Sequence, residues 1–410
     1  MRNKTIIIGG GASGLTAAIT AARCGADVTI LEHMDRVGKK ILSTGNGRCN
    51  ITNLTMDAKC YRSGQKWFPM NVIKQFPVQD TLEFFEEIGI LTKSRNGYIY
   101  PNSDQAASVL DALRLECDRL GVYTVTGCQV RQAKKAGKGM FLVQTDQGEF
   151  RCHSLVLATG SKAAPVTGSD GSGYELAKSF GHTIIKPLPA LVQLRCEGRH
   201  FKQLAGIRAD VHLRVVSEGK CLAEEDGELQ LTDYGISGIP TFQISRYVSV
   251  ALASGKKVSV LIDFLPGMTM EEMHGFMRKR VKNLSYRKCE DFLTGVLNKK
   301  LAAVLLKLSG ISLEEAVSRV KWENWERLIQ NIKQFEAKVT ATNDYAQAQI
   351  CCGGVDTRQI DSQSMESRLV PGLYLIGELV DVDGICGGYN LQWAWSSGFV
   401  AGTSAGRNSL

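Results

Sequence analysis

The 410-residue chain lacks the spacings that hold a structural metal or a disulfide framework. Its twelve cysteines include no C-x-x-C and no Cys/His cluster of zinc type, so no metal site is expected. Reduced, buried thiols in a cytoplasmic protein are the expectation instead, with the vicinal pair Cys351-Cys352 leaving a redox role open. No apolar run reaches the roughly eighteen residues of a membrane span. Dense Lys/Arg runs are also missing. The net charge of +8 is modest for this length and favours anionic small ligands over nucleic acid, so no nucleic-acid partner is expected. Met1-Arg-Asn-Lys before an apolar stretch imitates a secretory leader, but the glycines that follow argue for a folded strand and helix.

What is present begins at Ile6. The run Ile6-Ile7-Ile8 leads into Gly9-Gly10-Gly11-Ala12-Ser13-Gly14, then a small-residue helical pattern, then the β-rich Val28–Leu31 and Glu32. Gly9, Gly11 and Gly14 satisfy G-x-G-x-x-G between a strand and a helix. They supply a tight turn, close backbone approach to a pyrophosphate, and helix–sheet packing. The helix N-terminus adds free N–H groups and the positive dipole end, and Glu32 is placed to accept hydrogen bonds from a ribose. A dinucleotide site follows, with the motif alone indifferent between FAD and NAD. Further on, Gly38, Gly45 and Gly47 interleave with Lys39, Lys40 and Arg48, a flexible and cationic loop suited to an anionic ligand.

The periodicity predicts a helix over 104–120 and a three-stranded meander over Tyr123–Arg131, Met140–Gln144 and Glu149–Cys152. Ser154-Leu-Val-Leu-Ala-Thr-Gly-Ser161 reads as a buried parallel strand whose carboxyl end points at the Gly9–Gly14 crevice. A second glycine-rich opening, Gly168–Ala177, lacks both a preceding strand and a terminal acid, which makes it a poor nicotinamide fingerprint. Residues 188–265 alternate β-rich runs and turns, as in a sheet or small barrel. Residues 269–335 read as helices, with capping boxes expected at Thr269-x-x-Glu272 and Ser312-x-x-Glu315. From 339 the chain is β-rich again, reaching Gly372–Glu378 and a last helix. No long linker divides these parts, so an insertion explains their order. We read 1–187 and 339–410 as two parts of one domain, with 188–338 inserted as a barrel-plus-helical domain. The expected fold class is α/β, a Rossmann-like FAD-binding domain of the two-dinucleotide-binding type carrying that insertion.

Three stretches narrow the reading: Gly45-Asn-Gly-Arg-Cys-Asn-Ile-Thr-Asn53, Thr232-Asp-Tyr-Gly-Ile-Ser-Gly238, and Gly377-Glu-Leu-Val-Asp-Val-Asp-Gly384 with Gly387-Gly-Tyr-Asn-Leu-Gln392. They closely resemble the YhiN-type family of NAD(P)/FAD-dependent oxidoreductases, a family that includes "aminoacetone oxidase family" proteins and bile-acid 3-dehydro-Δ4,6-reductases. The resemblance covers essentially the whole chain. It implies FAD contacts at Ser13, Glu32, Lys40, Arg48, Val130, Glu378, Asn390 and Leu391. Gly9, Gly11, Ala12, Gly14, His33, Gly45, Gly47, Cys49, Asn50, Thr159, Gly160, Gly377 and Gly388 flank these within the same motifs and are assigned to the cofactor site with them. Where many relatives carry Ser-Gly-Pro, this chain has Ser237-Gly238-Ile239-Pro240, a local change of loop shape.

The chemistry expected is reductive. NADH or NADPH would bind transiently and reduce FAD, and hydride would pass to a C=C bond conjugated to a carbonyl. Tyr234 and Tyr389 are the candidate proton donors, because a phenol donates without being charged at neutral pH. The alternative is a FAD-dependent oxidase of a small amine using O₂; a flavin-dependent RNA-modifying or RNA-binding protein is a third reading, which the lack of a basic–aromatic stripe disfavours. A small-molecule substrate is expected, and the sequence leaves the oligomeric state open.

Overall fold

The computed structural model describes residues 3–407. The chain divides into two compact units, Met1–Leu188 with Gln349–Leu410, and Pro189–Ala348.

The first unit is built on a five-stranded parallel sheet. Its order is Leu373–Leu375, Ser154–Leu157, Lys4–Ile8, Asp27–Leu31, Tyr123–Val125, with parallel registers throughout. The strand Lys4–Ile8 is central, and Ile6, Ile7 and Ile8 are buried. That is why this stretch reads as an unbroken apolar run rather than an alternating one. The meander forms from Val130–Lys135, Phe141–Thr145 and Gly148–Cys152 as an antiparallel sheet. The expected long helix spans Ala106–Arg119.

The first helix, Ala12–Arg23, packs along the last, Tyr389–Arg407. Glycines four apart make the seam. A Cβ at Gly398 or Gly402 would sit 2.5 Å from the carbonyl oxygens of Ser13 and Ala17, and one at Gly406 would sit 2.9 Å from that of Ala21. Only glycine lets these two backbones approach so closely. The seam fixes the chain's end to its opening motif.

The second unit is a closed barrel of six strands, in order Leu194–Cys196, Gly235–Ser237, Lys220–Thr232, Arg208–Ser217, Val258–Asp263, Phe335–Thr342. Alternation supplies its core: Val211, Leu213 and Val215 on one strand, Val258, Val260 and Ile262 on another are buried. The helical part follows as Met270–Asn283, Lys299–Leu308 and Trp322–Lys333. Met273 and Met277 are fully buried core residues. Thr269 and Glu272 form the expected reciprocal capping box. Ser312 and Glu315 do not: no helix starts there, and the Glu315 carbonyl accepts from the Cys289 N–H instead. The chain returns to the first unit after Ala348, not after Lys338 as expected. Strand Phe335–Thr342 closes the barrel against both Val258–Asp263 and Leu194–Cys196, so it belongs to the insertion.

Candidate active site

In the first unit the opening motif forms a cradle. Gly9 adopts φ +103°, and a Cβ on Gly14 would run into the Gly9 carbonyl. The Gly10 N–H donates to Glu32 Oε2 at 2.8 Å, and the Met34 N–H to Oε1 at 2.8 Å. His33 Nδ1 lies 3.3 Å from the same carboxylate. Glu32 is therefore buried yet fixed, its two oxygens pinned by backbone donors at the end of the second strand. Gly11 occupies the N-cap of the first helix, with no side chain capping it, and a Cβ placed on Gly11 would meet nothing within 4 Å. An uncapped helix N-terminus facing open space is a place for an anion.

The far end of the sequence closes over this cradle. Gly377 adopts φ +65° and fits against Ser13 Oγ, where a Cβ would come within 2.5 Å. Its N–H donates to Ser397 Oγ at 3.0 Å, and its carbonyl accepts from Trp393 Nε1 at 2.9 Å. Next to it, Glu378 Oε2 is 2.6 Å from Lys40 Nζ and accepts from Ser161 Oγ at 2.9 Å. Ser13, Lys40, Gly377 and Glu378 are thus brought together. Ser161 joins them, a residue that the sequence marks only as the end of a strand.

Two loops supply the rest. In Thr44–Asn50, Gly45, Asn46, Gly47 and Cys49 all have positive φ. Two of these are not glycine, a strained conformation of the kind found at ligand clamps. Arg48 is exposed, and the Asn50 Oδ1 is buried with no hydrogen-bond partner among the described residues. The Thr159 Oγ1 is likewise buried and unpartnered, beside Gly160 at φ +72°. Asn50 Oδ1, on the loop beside Gly45, is free to meet a bound polar ligand, whereas Thr159 Oγ1 faces Gly173. Gly173, in the second glycine-rich opening, has no room for a Cβ against Thr159; that helix packs onto the crevice. Val130 contributes the first residue of the meander. At the start of the last helix, Gly388 rests on the Thr52 backbone. Asn390 clamps the Gly384 backbone, accepting from its N–H at 2.8 Å and donating to its carbonyl at 3.0 Å. Leu391 is partly exposed beyond it.

The two tyrosines differ. Tyr389 is 6% exposed; its carbonyl accepts from Tyr61 Oη at 2.8 Å, and its ring meets that of Tyr61 edge-on. Burial first, and the neighbouring Cys60 second, push its phenol well above the usual tyrosine range. Tyr234 lies at the rim of the barrel unit. Its Oη accepts from Asn343 Nδ2 at 3.2 Å, and the Arg195 guanidinium stands 4.9 Å from its ring centroid. With that oxygen occupied as an acceptor, the phenolic hydrogen is left to donate elsewhere. Asn343 Oδ1 and Thr232 Oγ1 are buried and unpartnered among the described residues. No spacing rule in the sequence marks Arg195 or Asn343, which lie at opposite ends of the insertion.

Cys49 is fully buried, and desolvation raises its thiol to about 12. At pH 8 only about one thiol in ten thousand is then ionised. Iodoacetamide added to native protein is expected to modify the exposed Cys221 and to leave Cys49 intact by peptide mass spectrometry. Early alkylation of Cys49 would contradict its placement.

A parallel sheet with the glycine cradle, a fixed acid and a returning Gly–Glu turn defines a Rossmann-like FAD-binding oxidoreductase. A model described as HI0933-like protein Rossmann domain matches residues 3–404, and the chain belongs to that family. It is 49% identical over 405 residues to the 3-dehydro-bile acid delta(4,6)-reductase of Clostridium scindens, covering 98% of this chain and 99% of that one. It is also 31% identical to the ribosomal RNA dihydrouridine synthase of Haemophilus influenzae, with 99% of each covered. Among solved structures, the 3-ketosteroid delta1-dehydrogenase of Sterolibacterium denitrificans shares the fold at a TM-score of 0.51 and 12% identity, covering 99% of this chain and 100% of that one. No helix among the described residues is long and apolar enough to cross a membrane.

Proposed function

We propose that the protein is an NAD(P)H-driven, FAD-dependent reductase of a C=C bond conjugated to a carbonyl. The observation that carries the reading is chemical agreement between two relatives named for different substrates. A delta(4,6)-reductase of a 3-dehydro bile acid and a dihydrouridine synthase both saturate a C=C bond conjugated to a carbonyl. The substrate class is therefore an enone or an enone-like ring, steroidal or pyrimidine.

The residues present fit the cofactor. Gly9, Gly11, Ala12, Ser13 and Gly14 would receive the pyrophosphate at the helix N-terminus, Glu32 the ribose, and Val130 the adenine through its backbone. Glu378, held by Lys40 and Ser161, would meet the ribityl chain. Gly45, Gly47, Arg48 and Asn50 would line the same ligand, and Gly388, Asn390 and Leu391 would turn the last helix's N-terminus toward the ring system. FAD, when bound, supplies two-electron chemistry between a nicotinamide and an acceptor. Tyr234 is assigned the proton that completes saturation. The nicotinamide nucleotide is assigned no fixed fingerprint and binds transiently. Free cysteines throughout the described chain suit a reducing, cytoplasmic location.

The test is an anaerobic stopped-flow series. NADH or NADPH should bleach the flavin promptly, and its colour should return on mixing with steroid enones, aryl enones or uridine. Bleaching by small amines alone would sink the reductase reading and favour an amine oxidase.

A further inference from the structure

The first unit holds a small antiparallel sheet of Thr52–Asn53, Tyr98–Pro101 and Thr92–Arg95. Directly opposite residues of antiparallel strands share a face. Tyr98 therefore stands with Arg95, and Tyr100 with Lys93, on one side, while Ile99 is buried on the other. Both tyrosine rings abut loops of the cofactor site. A Cβ at Gly387 would come within 2.6 Å of the Tyr98 ring, and one at Gly45 within 3.8 Å of the Tyr100 ring. Asn53, opposite Tyr98, donates to the Gly387 carbonyl at 3.1 Å. The face is thus continuous with the loop Thr44–Asn50 and with the opening of the last helix.

Its charge is one-sided. Segments 38–56 and 88–103 contain no Asp or Glu. The acids that flank them are engaged elsewhere: Asp35 with Lys39, Asp57 with the Lys59 N–H, Glu87 with Arg23. Lys40 is matched by Glu378. That leaves Asp104, whose Oδ2 lies 2.6 Å from Lys93 Nζ and 2.8 Å from an Arg95 nitrogen. Arg48 acts on both Asp104 and the Tyr100 phenol. Three cations therefore share one carboxylate. Asp104 is held at φ +55°, a strained conformation of the kind ligand clamps carry. The surface is open, with Tyr98 38% exposed and Arg48 and Arg95 exposed as well.

We propose that this face seats the nicotinamide nucleotide that reduces the flavin. Lys93 and Arg95 take its phosphates, Arg48 adds its charge from the flavin-side loop, and Tyr98 and Tyr100 offer their rings to its planar groups. The site rests on the reductase reading and supplies what that reading leaves unassigned. Guanidinium and ammonium groups match phosphate oxygens, and two rings beside them suit a molecule both planar and anionic. An enone with a carboxylate tail would use the charge without needing two rings.

The experiment follows flavin bleaching by stopped flow, without oxygen, over a range of NADPH concentrations. Arg95→Met should raise the concentration giving half the maximal rate by about ten-fold, as loss of one charge-assisted hydrogen bond requires, and should change the limiting rate much less. Tyr98→Ala should raise it by about five-fold through lost stacking. Titration of the oxidised, flavin-loaded protein with NADP+, read by flavin fluorescence, should show the same shifts in binding. Melting temperature and flavin content equal to wild type establish that the variants are folded. Arg95→Met, at an exposed position, remains the test if Tyr98→Ala loses its flavin. Unchanged concentration dependence in either folded variant overturns the site and leaves the reductase reading intact. Slower return of colour when dithionite-reduced Arg95→Met meets an enone also overturns it, because the face would then hold an anionic substrate. Wild-type flavin that neither NADPH nor NADH bleaches overturns the reductase reading, and this site with it.

Discussion

Protein carrying Gly14→Ala is expected to purify colourless, with less than about a tenth of the wild-type flavin content. The new methyl group would collide with the Gly9 carbonyl, so the turn that begins the first helix has to open. Helix and strand would separate at the point where the pyrophosphate needs both. Gly11→Ala should reach the same colourless state by another route. Its Cβ meets nothing within 4 Å of the protein, so the fold tolerates it, while the methyl occupies space the cofactor's phosphates require. The two variants therefore divide on stability. Melting of the flavin-free forms should fall by several degrees for Gly14→Ala, on the scale of an overpacked core, and stay near wild type for Gly11→Ala. Full flavin retention by either variant would show that this turn is not the pyrophosphate cradle.

That glycine cradle was legible in sequence because its information is local. A strand, a turn of fixed φ and a helix each carry their own signal within about thirty residues. The same holds for the Ser154–Leu157 strand and for the last two strands of the meander; the expected first strand, Tyr123–Arg131, is instead split, with Tyr123–Val125 joining the parallel sheet beside Asp27–Leu31 and the meander beginning at Val130. The parallel order of the sheet follows from crossover rules once those pieces are placed. Legibility failed where partners are distant. Phe335–Thr342 looked like the return to the first domain because β-rich character does not say which sheet a strand joins; its pairing with Val258–Asp263 and Leu194–Cys196 does. Ser312-x-x-Glu315 has the letters of a capping box, but tertiary pairing of that segment with Lys288–Glu290 overrides it. Lys40 and Glu378 were each assigned to the cofactor by motif, yet their 2.6 Å ion pair spans nearly the whole chain.

Replacing Tyr234 by phenylalanine should slow enone reduction by about a hundred- to ten-thousand-fold, the range a positioned general acid contributes. The reason is how its hydroxyl is occupied. Asn343 donates to the phenolic oxygen, so the proton points away from that amide and is available to a carbon or oxygen gaining negative charge. Arg195 faces the ring, so a positive charge is fixed beside the phenol. Tyr389 offers no equivalent arrangement, because its phenol is buried and directed at Cys60. Tyr389→Phe should accordingly change the same rate by less than about five-fold, since it removes one buried hydroxyl and keeps the ring's packing. The half-reactions separate a proton donor from a merely structural residue. With Tyr234→Phe, bleaching by NADH or NADPH should proceed at the wild-type rate, and only the enone-driven return of colour should slow. Asn343→Ala should reproduce the second defect more weakly, since it misorients the phenol without removing it. If Tyr234→Phe slows both half-reactions equally, the residue is structural. If Tyr389→Phe instead abolishes the return of colour, the proton belongs to the last helix, and the rim of the barrel has another task.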